Sequence, residues 1–304
     1  MSTRRAGDES RGAGGQQFEA REFEARAMST SMSAALSAPV RRLTAMADRP
    51  GASPRAHRAL RTAIVWEAVQ AVLDGRSGDV LDVLDVGGGT GGFAVPLAEL
   101  GHRVTVVDPS PDALASLERR AGDVGVAVRA VQGDAAGLAD VAEPGSVDLV
   151  LCHGVLEHVD DVDPALSALA AVLRPGGVLS LLAANRNAVV LARAISGHFD
   201  QARHALDDPQ GRFGPGDPLP RRFTADQLVA LVDDHGLTVR AVHGVRSFAD
   251  LVPGALVDAE PGAADALLAL ERVTADHSDF RAIATQLHVL AVRPAQPWSS
   301  CSRT

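Results

Sequence analysis

Residues 84–92 read LDVGGGTGG, and five of those nine letters are glycine. Coming straight after the aliphatic run VLDVLDV at 80–86, they mark a strand that ends in a turn which something must approach at backbone distance. Two spacings fit at once. Gly87, Gly89 and Gly92 satisfy the G-x-G-x-x-G of a dinucleotide-binding turn, while Asp85, Gly87, Gly89 and Gly91 satisfy D-x-G-x-G-x-G. The flanking sequence has to choose between them.

Upstream, RALRTAIVWEAVQAVL places Ile64, Val65, Ala68, Val69 and Val72 on one face at helical spacing, with Glu67 and Gln70 outside it, so an amphipathic helix leads into the domain. Downstream, PLAELGH at 96–102 ends a helix at Gly101, and RVTVVD at 103–108 is a second strand. Ser110, Pro111 and Asp112 start the next helix with a capping hydroxyl, a preset φ and a negative charge at the positive end of the dipole. VAVRAVQ (126–132), VDLVLC (147–152) and VLSLLAA (178–184) are further strands, with a helix opening at Asp163-Pro164 and closed by LRPGG at 173–177. Thr224 caps a helix that runs to about His235, a strand follows near 237–243, and a helix around 262–274 precedes QLHVLAVRP at 286–294. That last segment alternates as an edge or hairpin strand does, so the final two strands should pair antiparallel. Strands alternating with helices predict an α/β fold: a doubly wound, mostly parallel, seven-stranded Rossmann-like sheet with an antiparallel last strand.

Residues 1–52 are rich in Ala, Gly, Ser and Arg and carry FEAR twice, at 18–21 and 23–26. They lack a sustained core pattern, which predicts a disordered arm with a short helix near 17–27, and a domain over 53–304. Within that domain 185–220 breaks the rhythm with Asn, Asp, Gly and Pro and reads as a lid or substrate-side insertion.

The charge of the ligand separates the two glycine spacings. A pyrophosphate wants bare N–H groups at a helix start and no fixed negative charge beside it. Asp85 would repel a pyrophosphate and attract S-adenosylmethionine (SAM), which carries an ammonium and a sulfonium. In either kind of site the second strand ends in a carboxylate for the ribose hydroxyls, here Asp108. Gly133, Asp134 and Ala135 follow the third strand, where the adenine is recognised, and DLVLCHGVLEHV at 148–159 spans the end of the fourth, at the methionine end. Blander roles remain open: Asp85 as a turn cap, Asp108 as a loop carboxylate, Asp134 as a turn former and His153 as a partner of local backbone.

Together with LRPGG, these segments resemble the class I SAM-dependent methyltransferases over about residues 60–294. A narrower similarity joins RTAIVW (61–66), DVGGGTGG, VLCHGVLEHV, VLRPGGVLSLLAAN, HFD, GVRSF (244–248) and HVLAVRP, in order. It is to the bacterial carboxyl methyltransferases that act on 5-carboxymethoxyuridine at the tRNA wobble position. The resemblance implies that Arg61, Gly87, Gly88, Asp108, the Asp134-Ala135 turn and His153 contact the cofactor; Gly89 and Asp85 belong with them by the spacing and charge above. Two positions depart from that family: His158 stands where it commonly has Trp, and PRAHRA replaces its Lys-Gly stretch before the entry helix.

Methyl transfer is an in-line displacement for which the protein supplies orientation, desolvation and close approach. A carboxylate acceptor needs no base but benefits from a planar guanidinium, for which Arg246, or Arg186 and Arg222, are candidates. An amine or hydroxyl acceptor would need a base, and His153 or His158 would serve. Glu157 and His158 are adjacent on a helix and do not share a face, so no metal is expected.

The net charge of −9 and the absence of Tyr weigh against indiscriminate nucleic-acid binding while leaving room for a local basic face, so the acceptor is either tRNA or a small metabolite. All basic residues other than His are Arg. Two cysteines, Cys152 and Cys301, make neither a disulfide framework nor a zinc site, and no apolar run approaches the roughly 20 residues of a membrane span, which together point to the cytoplasm. An NAD-dependent oxidoreductase and a catalytically silent module of the same fold are the rival classes, opposed by Asp85 with LRPGG and by the intact glycines with Asp85 and Asp108 respectively.

Overall fold

The computed structural model describes residues 53–76 and 78–295, with side chains from Thr62 onward. The expected arm at 1–52, Cys301 and the side chain of Arg61 lie outside the described residues. The fold below is that of the unit beginning at His57.

A helix α1 (Ser53–Asp74) enters the domain and buries Ile64, Val65, Ala68, Val69 and Leu73, the stripe its spacing predicts. Then follow β1 (Asp82–Val86), α2 (Ala94–Glu99), β2 (Arg103–Asp108), α3 (Pro111–Val124), β3 (Arg129–Gln132), a 3-10 turn at Leu138–Asp140, β4 (Val147–His153), α4 (Val162–Val172) and β5 (Leu173–Ala184). The second half adds α5 (Arg186–Ile195), α6 (Phe199–Asp207), α7 (Ala225–Asp234), β6 (Thr238–Val245), α8 (Gly254–Ala259), α9 (Ala263–Thr274), α10 (Ser278–Arg281) and β7 (Gln286–Val292).

The seven strands lie in the order β3-β2-β1-β4-β5-β7-β6. The first five are mutually parallel, and β7 runs antiparallel to both β5 and β6. The order reverses between β1 and β4, so the strand ends Val86 and His153 flank the crevice that such a switch point opens. Both faces of the sheet are covered. Leu84, Val86, Val150 and Cys152 pack with α4 and α7 through Leu166, Leu169, Leu228 and Val232. Val83, Val106, Leu149 and Leu151 pack on the other face with α1, α2 and α3 through Val69, Leu97 and Leu117. Burying each such leucine contributes about 2 kcal/mol, and a sheet buried on both sides reads in sequence as continuous aliphatics rather than as alternation.

Helix ends follow their local chemistry. Ser110 Oγ accepts from Ala113 N–H at 3.2 Å ahead of Pro111, and Thr224 forms a reciprocal capping box with Gln227. α4 begins at Val162, one residue before Asp163-Pro164, because Asp161 caps it by accepting from Asp163 N–H at 3.1 Å. LRPGG belongs to the start of β5 rather than to the end of α4. β7 pairs antiparallel with β6 as expected, but it is an interior strand and not an edge. It lies between β5 and β6 with Leu287, Val289 and Ala291 fully buried on one face and His288 fully buried on the other. Its alternation reflects two covered faces, one of which carries a polar residue with partners of its own.

The segment 185–220 is built around α5 and α6, two amphipathic helices the composition does not announce. Asn185 anchors its start: Oδ1 accepts from Asn187 N–H at 3.0 Å, and Nδ2 donates to the carbonyls of Ala282 and Ala284 at 3.0 and 2.7 Å.

Candidate functional site

At the end of β1 the chain turns through Gly87 (φ +70°), Gly88, Gly89 and Gly91 (φ +79°) before α2. The turn is closed by Gly87 N–H donating to Val107 O at 2.7 Å and Gly91 N–H to Gly88 O at 2.9 Å. A Cβ on Gly87 would lie 2.4 Å from Val155 Cγ2, and one on Gly91 2.3 Å from Leu117 Cδ1. The glycines are therefore required by close neighbours as well as by backbone conformation. Beneath the turn sits Asp85, only 3% exposed, with Oδ2 where a Cβ on Gly88 would be 2.5 Å away. Burial, with a smaller contribution from the Asp108 carboxylate, pushes its acid up to about 7. Two neighbouring carboxylates, both buried, make the turn a place where a cation is favoured and a phosphate is not.

Asp108 ends β2 and is held by two backbone donors: Gly89 N–H reaches Oδ2 and Ser110 N–H reaches Oδ1, both at 2.9 Å. Each oxygen keeps a lone pair, which suits a vicinal diol. Asp134 is placed by its own turn, Oδ1 accepting from Ala136 and Gly137 N–H at 3.0 and 2.9 Å. This is the turn-forming geometry, and Oδ2 takes no part in it. Gly87, Asp108, Asp134 and Ala135 share one cavity of about 550 Å³, walled also by Val86, Pro109, Val155, His158 and Val159. Its apolar walls with a few convergent polar groups suit a nucleoside. A more open surface depression of about 510 Å³ lies between Thr90 of the turn and Ser116, Arg119 and Arg120 of α3.

His153 ends β4. Its Nε2 lies 2.8 Å from Ser180 Oγ, its ring meets Phe93 edge-on at 4.8 Å between centroids, and burial pulls its basicity down to about 4. Its Nδ1 is buried without a hydrogen-bond partner among the described residues, and so is Trp66 Nε1. Phe93 stands between the two rings, 5.7 Å from Trp66. One orphan is an indole donor and the other can be an acceptor, the complement of an amino-acid group with its carboxylate and ammonium. Trp66 was not a sequence candidate, because an aromatic on an amphipathic helix reads as core. The bare turn, the acid pair, the diol-ready Asp108 and these two orphans fit SAM.

The three candidate arginines fare differently. Arg186 Nε donates to Ala205 O at 3.2 Å and its Nη2 to Leu206 O, tying α5 to the end of α6. Arg222 pairs with Asp217 at 2.7 Å and donates to Gly211 O at 3.1 Å, buried. Arg246 follows β6 with φ +61°, a left-handed backbone that costs a non-glycine residue of order 1 kcal/mol, and Nη1 lies 3.0 Å from Asp250 Oδ2. It stands three strands from β4, roughly 14 Å across the sheet. Glu157 is buried and takes Ala184 N–H on Oε1 at 2.7 Å, tying the loop after β4 to the end of β5. Among the described residues no group of three or more His, Cys, Asp or Glu could hold a metal ion.

Residues 84–181 match a family model described as "Methyltransferase domain". The chain is 32% identical over 237 residues to a tRNA 5-carboxymethoxyuridine methyltransferase of Escherichia coli O157:H7, a match covering 77% of this chain and 88% of that one. It is 38% identical over 168 residues to a ubiquinone biosynthesis O-methyltransferase of Cupriavidus pinatubonensis, covering 54% of this chain and 66% of the other. The fold is similar to that of magnesium protoporphyrin IX methyltransferase from Synechocystis PCC 6803 with bound SAH, at a TM-score of 0.53 and 18% identity, over 79% of this chain and 86% of that one.

Proposed function

The chain belongs to the SAM-dependent methyltransferases, with SAM as its methyl donor, and on that footing we propose that its acceptor is a carboxylate, that of 5-carboxymethoxyuridine at the wobble position of tRNA. SAM supplies a methyl group on a sulfonium, a leaving group already installed. The chain's residues then have to bind, orient and exclude water. In this reading Asp108 takes the ribose hydroxyls, Asp85 and Gly87 to Gly89 seat the charged end, and the Asp134-Ala135 turn borders the adenine. Arg61 and His153 complete the cofactor site.

The observation that carries the acceptor class is the weakness of His153 as a base. Held near 4 and bonded to Ser180, it is poorly matched to a phenol or alcohol, whereas a carboxylate arrives ionised at pH 7. Of the three guanidinium candidates, Arg186 and Arg222 hold the 185–220 segment, and Arg246, set at the end of β6 and paired with Asp250, is the one proposed to orient the acceptor. The macromolecular substrate is supported by the similarity over 77% of this chain, and a place for it by the exposed Arg203 and Arg212 of the 185–220 segment. That segment is the proposed tRNA-facing side, and the cytoplasm is the proposed compartment. Among the described residues no helix is long and apolar enough to cross a membrane.

A second reading, O-methylation of a small metabolite, is favoured by one feature: His158, exposed on the cavity wall, could act as base where His153 cannot. Mass spectrometry of tRNA nucleosides from a deletion strain distinguishes them. Unmethylated 5-carboxymethoxyuridine accumulates under the first reading, and an unchanged nucleoside profile dismisses it.

A further inference from the structure

On the sheet face beneath α1, four neighbouring strands contribute one polar side chain each to a continuous row. His153 Nε2 on β4 is 2.8 Å from Ser180 Oγ on β5, and that oxygen is 2.8 Å from His288 Nε2 on β7. His288 Nδ1 is 3.0 Å from His243 Nδ1 on β6, with the rings stacked at 5.3 Å. His243 Nε2 in turn lies 3.5 Å from Asp276 Oδ1, just past α9, whose side chain is 62% exposed. Ser180 and His288 have no exposure at all and His243 only 7%, so the row leads from the crevice through the core to the surface. Three buried polar groups and the half-buried His153, aligned across four strands, are costly unless every contact is made, and here only the crevice end, His153 Nδ1, is left without a partner.

We propose that Ser180, His288, His243 and Asp276 are positioning residues that fix the tautomer of His153, so that its Nδ1 faces the ligand as a bare acceptor. The inference rests on the crevice being the SAM site, and the donor it would meet is the cofactor's ammonium.

The direction follows from counting protons. Each neutral imidazole carries one N–H and the serine one O–H; two arrangements make all three contacts within the row and also give the serine proton a partner, and they run in opposite senses. The Asp276 carboxylate selects one of them, since it requires the proton of His243 to lie on Nε2. His243 Nδ1 must then accept from His288 Nδ1–H. His288 Nε2 accepts from Ser180 O–H, and Ser180 Oγ accepts from His153 Nε2–H. His153 Nδ1 is left as a lone pair. The opposite sense would set a lone pair of His243 against Asp276 and an N–H of His153 against an ammonium. Burial disfavours a cationic form all along the row, lowering His153 and His243 and bringing His288 well below its usual range; Asp276 counters this at His243, while Arg281 adds to it. No proton has to travel.

The experiment is imidazole ¹H–¹⁵N NMR on the full chain labelled at histidine, with SAM titrated calorimetrically in parallel. Wild type should show His153 with a pyridine-type Nδ1 and a pyrrole-type Nε2. Asp276→Lys puts a donor beside His243 Nε2, and at this exposed position the fold should be kept. It should reverse the row, protonate His153 Nδ1 and weaken SAM binding about tenfold or more, the loss expected for one hydrogen bond to a charged group. Asp276→Glu should restore both readings, and in Ser180→Ala the His153 shifts should no longer respond to Asp276→Lys. A wild-type His153 protonated at Nδ1, or His153 shifts unmoved in folded Asp276→Lys, overturns the proposal. If the shifts respond as stated but wild type binds no SAM, the reading of the crevice fails and the polarised row stands.

Discussion

Asp85→Asn separates what the buried acid costs the fold from what it gives the cofactor. The Asp85 carboxyl is raised from 3.8 to about 7 in the folded protein by desolvation and, secondarily, by Asp108. A folded pKa above the unfolded one means that the native state holds the proton more tightly. The contribution is therefore fully present below about pH 4 and is lost as pH rises through about 7. A shift of about 3 units at 1.36 kcal/mol each corresponds to roughly 4 kcal/mol. The amide is close in shape and cannot ionise, so the wild-type and variant stability curves should diverge with pH. Relative to their difference near pH 4, the variant should gain up to about 4 kcal/mol by pH 8 in urea unfolding of the cofactor-free protein. SAM should bind wild type more tightly as pH rises through 7, because the cation favours the ionised acid, and the variant more weakly with a flatter profile. Stability curves that stay parallel from pH 4 to 9 would refute the reasoning, since Asp85 would then not titrate in that window.

Gly91→Ala places a methyl 2.3 Å from Leu117 Cδ1 at φ +79°, so it should cost about 1–3 kcal/mol and lower Tm by several degrees; an unchanged melt would contradict the close seat drawn here. Asp108→Ala removes the acceptor for Gly89 and Ser110 N–H together with the diol partner, and should raise the SAM Kd by about tenfold or more by calorimetry. Arg246→Ala should raise the acceptor KM by about tenfold to a hundredfold while leaving the SAM Kd unchanged, as loss of a charge-assisted contact predicts. An unaltered KM would remove Arg246 from the acceptor site.

What was legible in the sequence is local chemistry. Asp85 and the glycines after it, Asp108 at the end of VTVVD, Ser110 before Pro111 and Thr224 three residues before Gln227 each declare a turn or a cap within a few letters, and each sits where those letters put it. What was not legible depends on neighbours distant in the chain. His288 in QLHVLAV looks like the outward position of an alternating edge strand. It is fully buried because β6 pairs beyond β7 and α1 packs on that face, and its partners are 108 and 45 residues away. Ser180 in VLSLLAA passes for an incidental serine for the same reason. Arg222 is a different case: its partner Asp217 is only five residues back, but the irregular loop between them carries no pattern that announces the two-oxygen pairing. The helices α5 and α6 escaped notice because Gly, Pro and Asp around them mask two short amphipathic stripes.

The most direct test incubates the purified chain with trideuteromethyl-labelled SAM and tRNA bearing 5-carboxymethoxyuridine, followed by nucleoside mass spectrometry before and after mild alkali. A carboxylate acceptor predicts the label on the wobble nucleoside as a methyl ester that alkali removes. Label that survives alkali as an ether, or a tRNA left unlabelled while a small hydroxylated metabolite is methylated, would contradict it.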